Sequence, residues 1–130
     1  MIFPESLPSW TPPTKTVRKG WGYEVWFHNA DGYCMKALCF MPGGKCSMHF
    51  HGEKCETWLV IAGAFNVTVI DTERGAERSF QMTPGCWLDM RRFNPHRLEA
   101  VSLDESVIIE ASTTHIDADS YRIAPGDSQK

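Results

Sequence analysis

Residues 43–63 read GGKCSMHFHGEKCETWLVIAG, and this stretch organises the rest of the chain. His49 and His51 are one residue apart, and Glu56 follows five residues after His51. Because side chains alternate across a β-strand, two histidines at this spacing lie on one face. Imidazole and carboxylate groups together are typical ligands of divalent transition metals. The stretch therefore predicts a metal site built on short strands.

Length and charge narrow the function classes. The chain has 130 residues, of which 42% are hydrophobic, so we expect one domain with a core of its own. The formal net charge is −3, and the only basic cluster is the pair Arg91 and Arg92. This charge pattern disfavours a nucleic-acid site that follows a phosphate backbone.

Features of secretion and membrane insertion are absent from the sequence. No apolar run approaches the roughly 20 residues of a membrane helix, and the first ten residues, MIFPESLPSW, lack the pattern of a signal peptide. The five cysteines are an odd number without a C-x-x-C pair. That pattern indicates reduced thiols, and we expect a cytoplasmic protein.

The two ends of the chain differ in composition from its middle. Residues 1–14 combine four prolines with Phe3 and Trp10, which predicts an extended arm on a surface, such as that of the second subunit of a homodimer. Residues 15–112 are expected to form the barrel, and residues 113–130 a polar tail. Tyr121 and Ile123 alternate around Arg122, which would suit a short edge strand.

Short apolar segments separated by turn residues fill the middle of the chain. They are residues 21–28, 33–41, 47–51, 56–62, 64–71, 76–82, 86–90, 96–101 and 106–111. Short strands at regular spacing, without a helical period, predict an all-β sandwich or barrel.

The central stretch resembles the first motif of the cupin superfamily without a gap. The motif residues are Gly43, His49, His51, Glu56 and Gly63. The second cupin motif supplies one more histidine, which is His96, although Phe93 and Ala100 replace its usual glycine and asparagine. The resemblance implies a double-stranded β-helix, or jelly-roll, cupin barrel with one divalent metal inside, held by His49, His51, Glu56 and His96.

Much of residues 20–123 also resembles the type II phosphomannose isomerase cupins. The similar segments are WGYE at 21–24, HFHGEKCETW at 49–58, HRLE at 96–99, IIE at 108–110 and DADSYR at 117–122. The family has glutamine where this chain has His49 and arginine where it has Lys54. The resemblance implies a role in carbohydrate metabolism.

Strand alternation assigns the remaining candidates to faces of the barrel. With Glu56 inward, Trp58 also points inward and becomes a substrate-binding candidate. Lys36 either faces the metal or is an edge-strand lysine in solvent. Arg97 and Arg122 are candidates for binding a phosphate or carboxylate, although alternation turns Arg97 away from His96. Two other histidines, His28 and His115, are expected to be exposed.

Three histidines and a glutamate suit Mn²⁺, Fe²⁺, Co²⁺, Ni²⁺ or Zn²⁺. The first hypothesis is a sugar or sugar-phosphate isomerase that interconverts aldose and ketose through a metal-stabilised enediolate, with Lys36 or Lys54 as acid or base. The second is an Fe²⁺-dependent enzyme of the dioxygenase type. The third is a non-catalytic module that binds carbohydrate.

Overall fold

The structure, a computed structural model, describes residues 15–130, so the expected arm at residues 1–14 lies outside the described part of the chain. Eleven strands and one short 3₁₀ helix follow one another. The strands are β1 Lys15–Lys19, β2 Gly22–Ala30, β3 Tyr33–Phe40, β4 Met48–Phe50, β5 Glu56–Ala62, β6 Phe65–Asp71, β7 Ala76–Met82, β8 Trp87–Met90, β9 His96–Ala100, β10 Ser106–Ser112 and β11 Tyr121–Ala124, and the 3₁₀ helix is Asp127–Gln129.

These strands form two antiparallel sheets that enclose one core. The six-stranded sheet has the order β1-β2-β3-β10-β5-β8, and the five-stranded sheet has the order β11-β4-β9-β6-β7. Large apolar side chains from both sheets fill the space between them, including Phe40, Trp58, Phe65, Val67 and Ile108. The predicted all-β jelly roll is confirmed.

Alternation along β5 decides which side chains reach the interior. Glu56, Trp58 and Val60 are buried, while Leu59 and Ile61 point outward and are exposed. This is the facing predicted from the period of two. The interior of β5 therefore begins with a carboxylate and continues with apolar groups.

Two glycines of the central stretch occupy conformations that other residues rarely adopt. Gly43 has φ of 76° and Gly63 has φ of 73°, both in the left-handed region. A Cβ atom at Gly63 would also overlap the hydroxyl group of Ser106. Gly43 lies five residues before β4, and Gly63 directly follows β5.

Phe93, just before β9, also has a left-handed backbone conformation although it is not a glycine. Phe93 has φ of 61° at the position where the second cupin motif has glycine. Its backbone N–H donates a 2.7 Å hydrogen bond to the carbonyl of His51. This bond ties the loop before β9 to the residue that follows β4.

The predicted strands agree with the structure, except that one observed strand was not predicted and one predicted strand is shorter than expected. All nine predicted segments contain a strand, although the segment at 47–51 is reduced to Met48–Phe50. The omitted strand is β1, whose residues are mostly polar and which pairs only with β2 at the sheet edge. The short edge strand expected near Tyr121 and Ile123 is confirmed as β11, which pairs with β4.

Candidate metal centre and cavity

Neighbouring strands bring three histidines together inside the barrel. β4 pairs with β9 so that His49 lies opposite His96, and His51 follows directly after β4. One ring nitrogen from each histidine lies within 4.8 Å of the others. The predicted histidine ligands therefore meet at one point.

Each of the three rings is held through Nδ1 by a backbone carbonyl. The Nδ1 atom of His49 lies 2.9 Å from the carbonyl of Ser47, that of His51 lies 2.5 Å from Asp119, and that of His96 lies 2.8 Å from Asn94. A carbonyl only accepts, so each Nδ1 carries the proton and donates. The lone pair of each ring therefore lies on Nε2. Metal-binding histidines are oriented in this way by an outer hydrogen bond.

The carboxylate of Glu56 completes this group. Its Oε1 lies 3.1 Å from Nε2 of His96 and 3.6 Å from Nε2 of His51. This buried oxygen has no hydrogen-bond partner within residues 15–130. Because the two Nε2 atoms carry lone pairs, three acceptors face one another without a proton between them. A cation resolves that repulsion, so these residues fit a divalent metal.

Burial keeps the histidines in the neutral form that a metal needs. Desolvation, followed by the neighbouring His96, lowers the pKa of His49 from 6.5 to about 3. Desolvation also lowers the pKa of His51, although Glu56 opposes the shift. Burial would raise the pKa of Glu56, but the Lys54 ammonium outweighs it and holds that pKa well below its usual range.

Lys54 lies between two carboxylates, those of Glu56 and Glu110. Its Nζ lies 3.3 Å from Glu56 and 3.2 Å from Glu110, and all three side chains are buried. Burial alone would lower the pKa of Lys54, but the charges of Glu110 and Glu56 raise it above its usual value. Burial and then the charge of Glu56 raise the pKa of Glu110 to about 8. Lys54 is therefore a cation and does not have the properties of a general base.

Lys36 faces the interior rather than solvent, which decides between the two expected orientations. Its side chain is 1% exposed, and its Nζ lies 3.3 Å from Glu24. The same ammonium lies 3.8 Å from the ring centroid of Trp26, within the range of a cation–π contact. Lys36 is thus an ion-paired cation on the cavity wall.

All these groups line one cavity of about 460 Å³. Ligand sites commonly enclose about 300–1,000 Å³. Trp58 lies on the wall, 1% exposed, with its ring edge-on to His96 at 5.1 Å. Arg122, on β11, is exposed and also lines the cavity. Trp58 and Arg122 thus both line the cavity, as a substrate-binding role requires.

Arg97 lies outside the cavity. It shares β9 with His96 but points to the opposite face, where its guanidinium donates to the carbonyls of Cys46 and Pro125 at 3.2 and 2.8 Å. It is not among the residues that line the cavity. The expectation that Arg97 binds a substrate anion is therefore corrected, because strand alternation outweighs the local sequence match.

Four acidic or imidazole groups at the cavity were missed by the sequence analysis, namely Glu24, Glu110, His115 and Asp117. Glu24 and Glu110 are the last residues of the quoted segments WGYE and IIE, and their buried strand positions could have identified them. His115 was expected to be exposed, but it lines the cavity with its side chain 18% exposed. No local pattern assigns His115 to the cavity, because it lies in the loop between β10 and β11.

The five cysteines are all free thiols, as expected from their odd number. Within residues 15–130, the structure contains no helix that is both long and apolar enough to cross a membrane.

Comparison with known proteins gives similarity in structure only. No family model and no curated protein sequence matches the chain. The capsular polysaccharide assembling protein CapF from Staphylococcus aureus superposes with a TM-score of 0.78 at 18% identity, over 88% of this chain and 33% of CapF.

Oxalate decarboxylases are also similar in structure. The Bacillus subtilis enzyme, solved at pH 4.6, gives a TM-score of 0.73 at 16% identity over 85% of this chain and 30% of the enzyme. The Lactobacillus farciminis enzyme with formate gives 0.72 at 16% identity, over 84% of this chain and 33% of the enzyme. This chain spans about a third of the length of each of these structures. Identity this low carries the fold and not the activity, and the fold shared with these proteins is that of a cupin.

Proposed function

We propose that this chain is a metal-dependent enzyme that moves a proton between neighbouring carbons of a small hydroxylated carbonyl compound. A sugar or sugar-phosphate aldose–ketose isomerase is the form we favour. The observation that carries the proposal is the meeting of three Nε2 lone pairs with a Glu56 oxygen that has no hydrogen-bond partner among residues 15–130, in a cavity lined by two buried lysines. Such a cavity offers both a Lewis acid site and fixed cations for substrate oxygens.

In this proposal, His49, His51, His96 and Glu56 hold the metal. When bound, the metal would polarise the substrate carbonyl and lower the energy of negative charge that develops on its oxygen. The protein holds the imidazoles neutral and oriented through their Nδ1 hydrogen bonds before the metal arrives. The ligands therefore need little rearrangement on binding.

The two lysines would bind the substrate rather than remove its proton. Lys54 is ion-paired with Glu56 and Glu110, and Lys36 with Glu24. Ammonium groups that are buried and held by ion pairs donate strong hydrogen bonds to hydroxyl, phosphate or carboxylate oxygens. Arg122 adds a further cation where it lines the cavity. This arrangement favours an oxygen-rich, anionic substrate.

One sequence resemblance and one similar structure favour a substrate of this kind. The resemblance of the segments at 21–24, 49–58 and 96–99 to type II phosphomannose isomerases supports a hexose phosphate. The similar structure CapF is named for its part in assembling a capsular polysaccharide, which is also sugar chemistry.

The test is solvent hydrogen exchange with a panel of hexose and pentose phosphates. Protein loaded separately with Mn²⁺, Fe²⁺, Co²⁺, Ni²⁺ or Zn²⁺ is incubated in D₂O, and deuterium at the carbon next to the carbonyl is measured by NMR. We expect conversion of one aldose phosphate to its ketose, with loss on chelation. Absence of both conversion and exchange with every metal would refute the isomerase proposal. Binding without turnover would favour the non-catalytic carbohydrate-binding alternative.

A second candidate is an Fe²⁺-dependent enzyme that uses oxygen. His49, where the isomerase family has glutamine, makes the ligand set three histidines and one glutamate, which leaves open positions on an octahedral ion. Oxalate decarboxylase, similar in fold, supports a small carboxylate as substrate. Oxygen consumption by the iron-loaded protein with small carboxylates would favour this candidate over the isomerase.

A further inference from the structure

The loop between β10 and β11 presents a histidine–aspartate pair at the cavity. Nε2 of His115 lies 2.8 Å from Oδ1 of Asp117, and His115 lines the cavity together with Asp117. The ring of His115 packs edge-on against Trp26 at 5.0 Å. Asn29 fixes the backbone on both sides, since its amide donates to the carbonyl of His115 and its oxygen accepts from the N–H of His115. The imidazole is thus held at its ring and at its backbone.

The other ring nitrogen of His115 is a hydrogen-bond acceptor. Because Asp117 accepts at Nε2, that nitrogen carries the proton and Nδ1 carries the lone pair. Nδ1 is buried and makes no hydrogen bond to any residue from 15 to 130. A buried acceptor without a partner carries a cost unless another molecule satisfies it. An unsatisfied nitrogen on a cavity wall points to a contact with a bound molecule.

The charges around His115 favour the neutral ring. Burial lowers the pKa of His115 below its usual 6.5, and the Lys36 and Lys54 ammonium groups lower it further, against the opposing effect of Asp117. The Lys15 ammonium lies 4.4 Å from the ring centroid of Trp26, and, besides the hydrogen bond from His115, the charges of Lys15 and Lys19 both lower the pKa of Asp117. The imidazole therefore has an available lone pair at neutral pH.

We propose that His115 is the acid–base residue of this cavity and that Asp117 is the residue that orients it. The inference rests on the proposed function and assigns the step that the ion-paired lysines cannot perform as bases. Nδ1 takes the proton from the carbon next to the substrate carbonyl. The electron pair of the broken C–H bond forms a C=C bond, and the carbonyl oxygen takes the negative charge. The imidazolium, stabilised by Asp117, exchanges its proton in part with solvent and then protonates the former carbonyl carbon. The hydroxyl proton of the neighbouring carbon passes to the former carbonyl oxygen, so that this neighbouring carbon becomes the new carbonyl and no oxidant or reductant is consumed.

The main test compares His115→Ala with His28→Ala in the metal-loaded protein. His28 is a matched control because it stacks on Tyr33, bonds the carbonyl of Ala30 and does not line the cavity. We expect His115→Ala to lower kcat about 10²–10³-fold with unchanged metal content, as for loss of a general base. Added imidazole should restore a large part of that loss. His28→Ala should match the wild type.

Asp117→Asn tests the orienting role. Removing the carboxylate lowers the pKa of His115 further, so the acidic limb of the pH–rate profile should move to lower pH while kcat falls about tenfold. A merely structural role would leave that limb in place. The inference is overturned when His115→Ala keeps its activity within about threefold, or loses activity that imidazole does not restore, with metal content unchanged.

A readout without turnover separates this inference from the proposed function. In ¹⁵N-labelled protein, addition of a hexose phosphate should shift the Nδ1 resonance of His115, and the shift should be absent with Asp117→Asn. If the panel gives no turnover but the resonance shifts, the isomerase proposal fails and the contact at His115 stands. If turnover is found while the resonance does not respond, the contact at His115 is wrong and the isomerase proposal stands.

Discussion

At the scale of single residues, the three histidines act alike, although His96 lies 45 residues after His51 in the chain. Each donates a hydrogen bond from Nδ1–H to a backbone carbonyl, and two of these carbonyls lie only two residues back along the chain. This local bond sets the tautomer and leaves Nε2 for a ligand. The ligand set therefore depends on backbone geometry as much as on the identity of the side chains.

Replacing one ligand should remove the metal without unfolding the protein. We expect the wild type to retain about one divalent ion per chain after gel filtration, and His96→Ala and Glu56→Gln to retain much less. Elemental analysis of the eluted protein measures this, and His28→Ala should retain the wild-type amount. Equal metal content in His96→Ala and the wild type would contradict the assigned ligand set.

The buried histidines should make the metal-free protein sensitive to acid. The pKa of His49 is about 3 and that of His51 is also lowered, against an ordinary value of 6.5. The unfolded chain therefore binds more protons between these values, so stability is fully present above about pH 6.5 and is lost as pH falls. Urea unfolding between pH 7 and pH 5 after chelation measures the slope. His49→Gln should flatten it by up to about 1.4 kcal/mol per pH unit, and an unchanged slope would contradict the assignment.

Removing only one member of the buried ion pair between Lys36 and Glu24 should lower the free energy of unfolding. Lys36→Met leaves the Glu24 carboxylate buried, with only Lys19 nearby at 3.8 Å, so we expect a loss of about 3 kcal/mol in unfolding free energy. The double variant Lys36→Met with Glu24→Leu should recover most of it. The exposed pair of Arg74 and Asp71 is the control, and Arg74→Met should cost below about 0.5 kcal/mol. A double variant as unstable as Lys36→Met would contradict this account.

At the scale of elements, the segment after β10 supports the loop between β4 and β5, which joins His51 to Glu56. The Asp119 carboxylate accepts hydrogen bonds from the backbone N–H groups of Gly52, Glu53 and Lys54, and the Asp119 carbonyl accepts from His51. Burial would raise the pKa of Asp119, but these N–H donors lower it. Residues expected as a polar tail therefore take part in building the site.

Asp119→Ala should weaken metal binding although Asp119 is not a ligand. The three N–H groups lose their acceptor, and the backbone carbonyl of residue 119 that accepts from His51 is held less firmly, so we expect the metal dissociation constant to rise about tenfold and stability to fall by about 2 kcal/mol. Competition with a coloured chelator measures the affinity. Asp104→Ala, in an exposed loop, is the control. Wild-type metal affinity in Asp119→Ala would contradict this role, because the loop between β4 and β5 would then keep its conformation without the Asp119 carboxylate.

At the scale of the whole molecule, the outer face of the larger sheet carries an apolar patch. Leu59 lies opposite Trp87 across β5 and β8, and Ile61 follows on the same face. Their exposed fractions are 40%, 66% and 50%. Adjacent exposed apolar groups of this size are typical of association surfaces. We propose that a second copy of the chain covers this patch, with residues 1–13 crossing to the partner.

Sedimentation equilibrium tests this assembly. A dimer should give twice the 14.7 kDa chain mass, whereas Trp87→Glu and deletion of residues 1–13 should shift the protein towards the monomer. Leu103→Glu, at a residue that is 96% exposed in a loop, is the control and should leave the mass unchanged. The same mass for the wild type and the shortened chain would contradict the crossing arm.

The sequence alone determined the local parts of this protein. The period of two placed Glu56 and Trp58 inward and Arg97 outward, and the spacing from Gly43 to Gly63 indicated the turns and ligands of a cupin barrel. These features depend on residues within one strand or one turn, so short stretches of sequence carry them.

Only the tertiary structure decided which distant groups meet. Lys36 binds Glu24 across two strands, and Lys54 binds Glu110, 56 residues away. His115 lines the cavity, where two hydrogen bonds with Asn29 of β2, 86 residues away, hold its backbone. Such contacts follow from strand order and register, which no local pattern encodes. For that reason the meeting of His49, His51 and His96 could be predicted from the sequence, while the ion pairs of the lysines and the place of His115 could not.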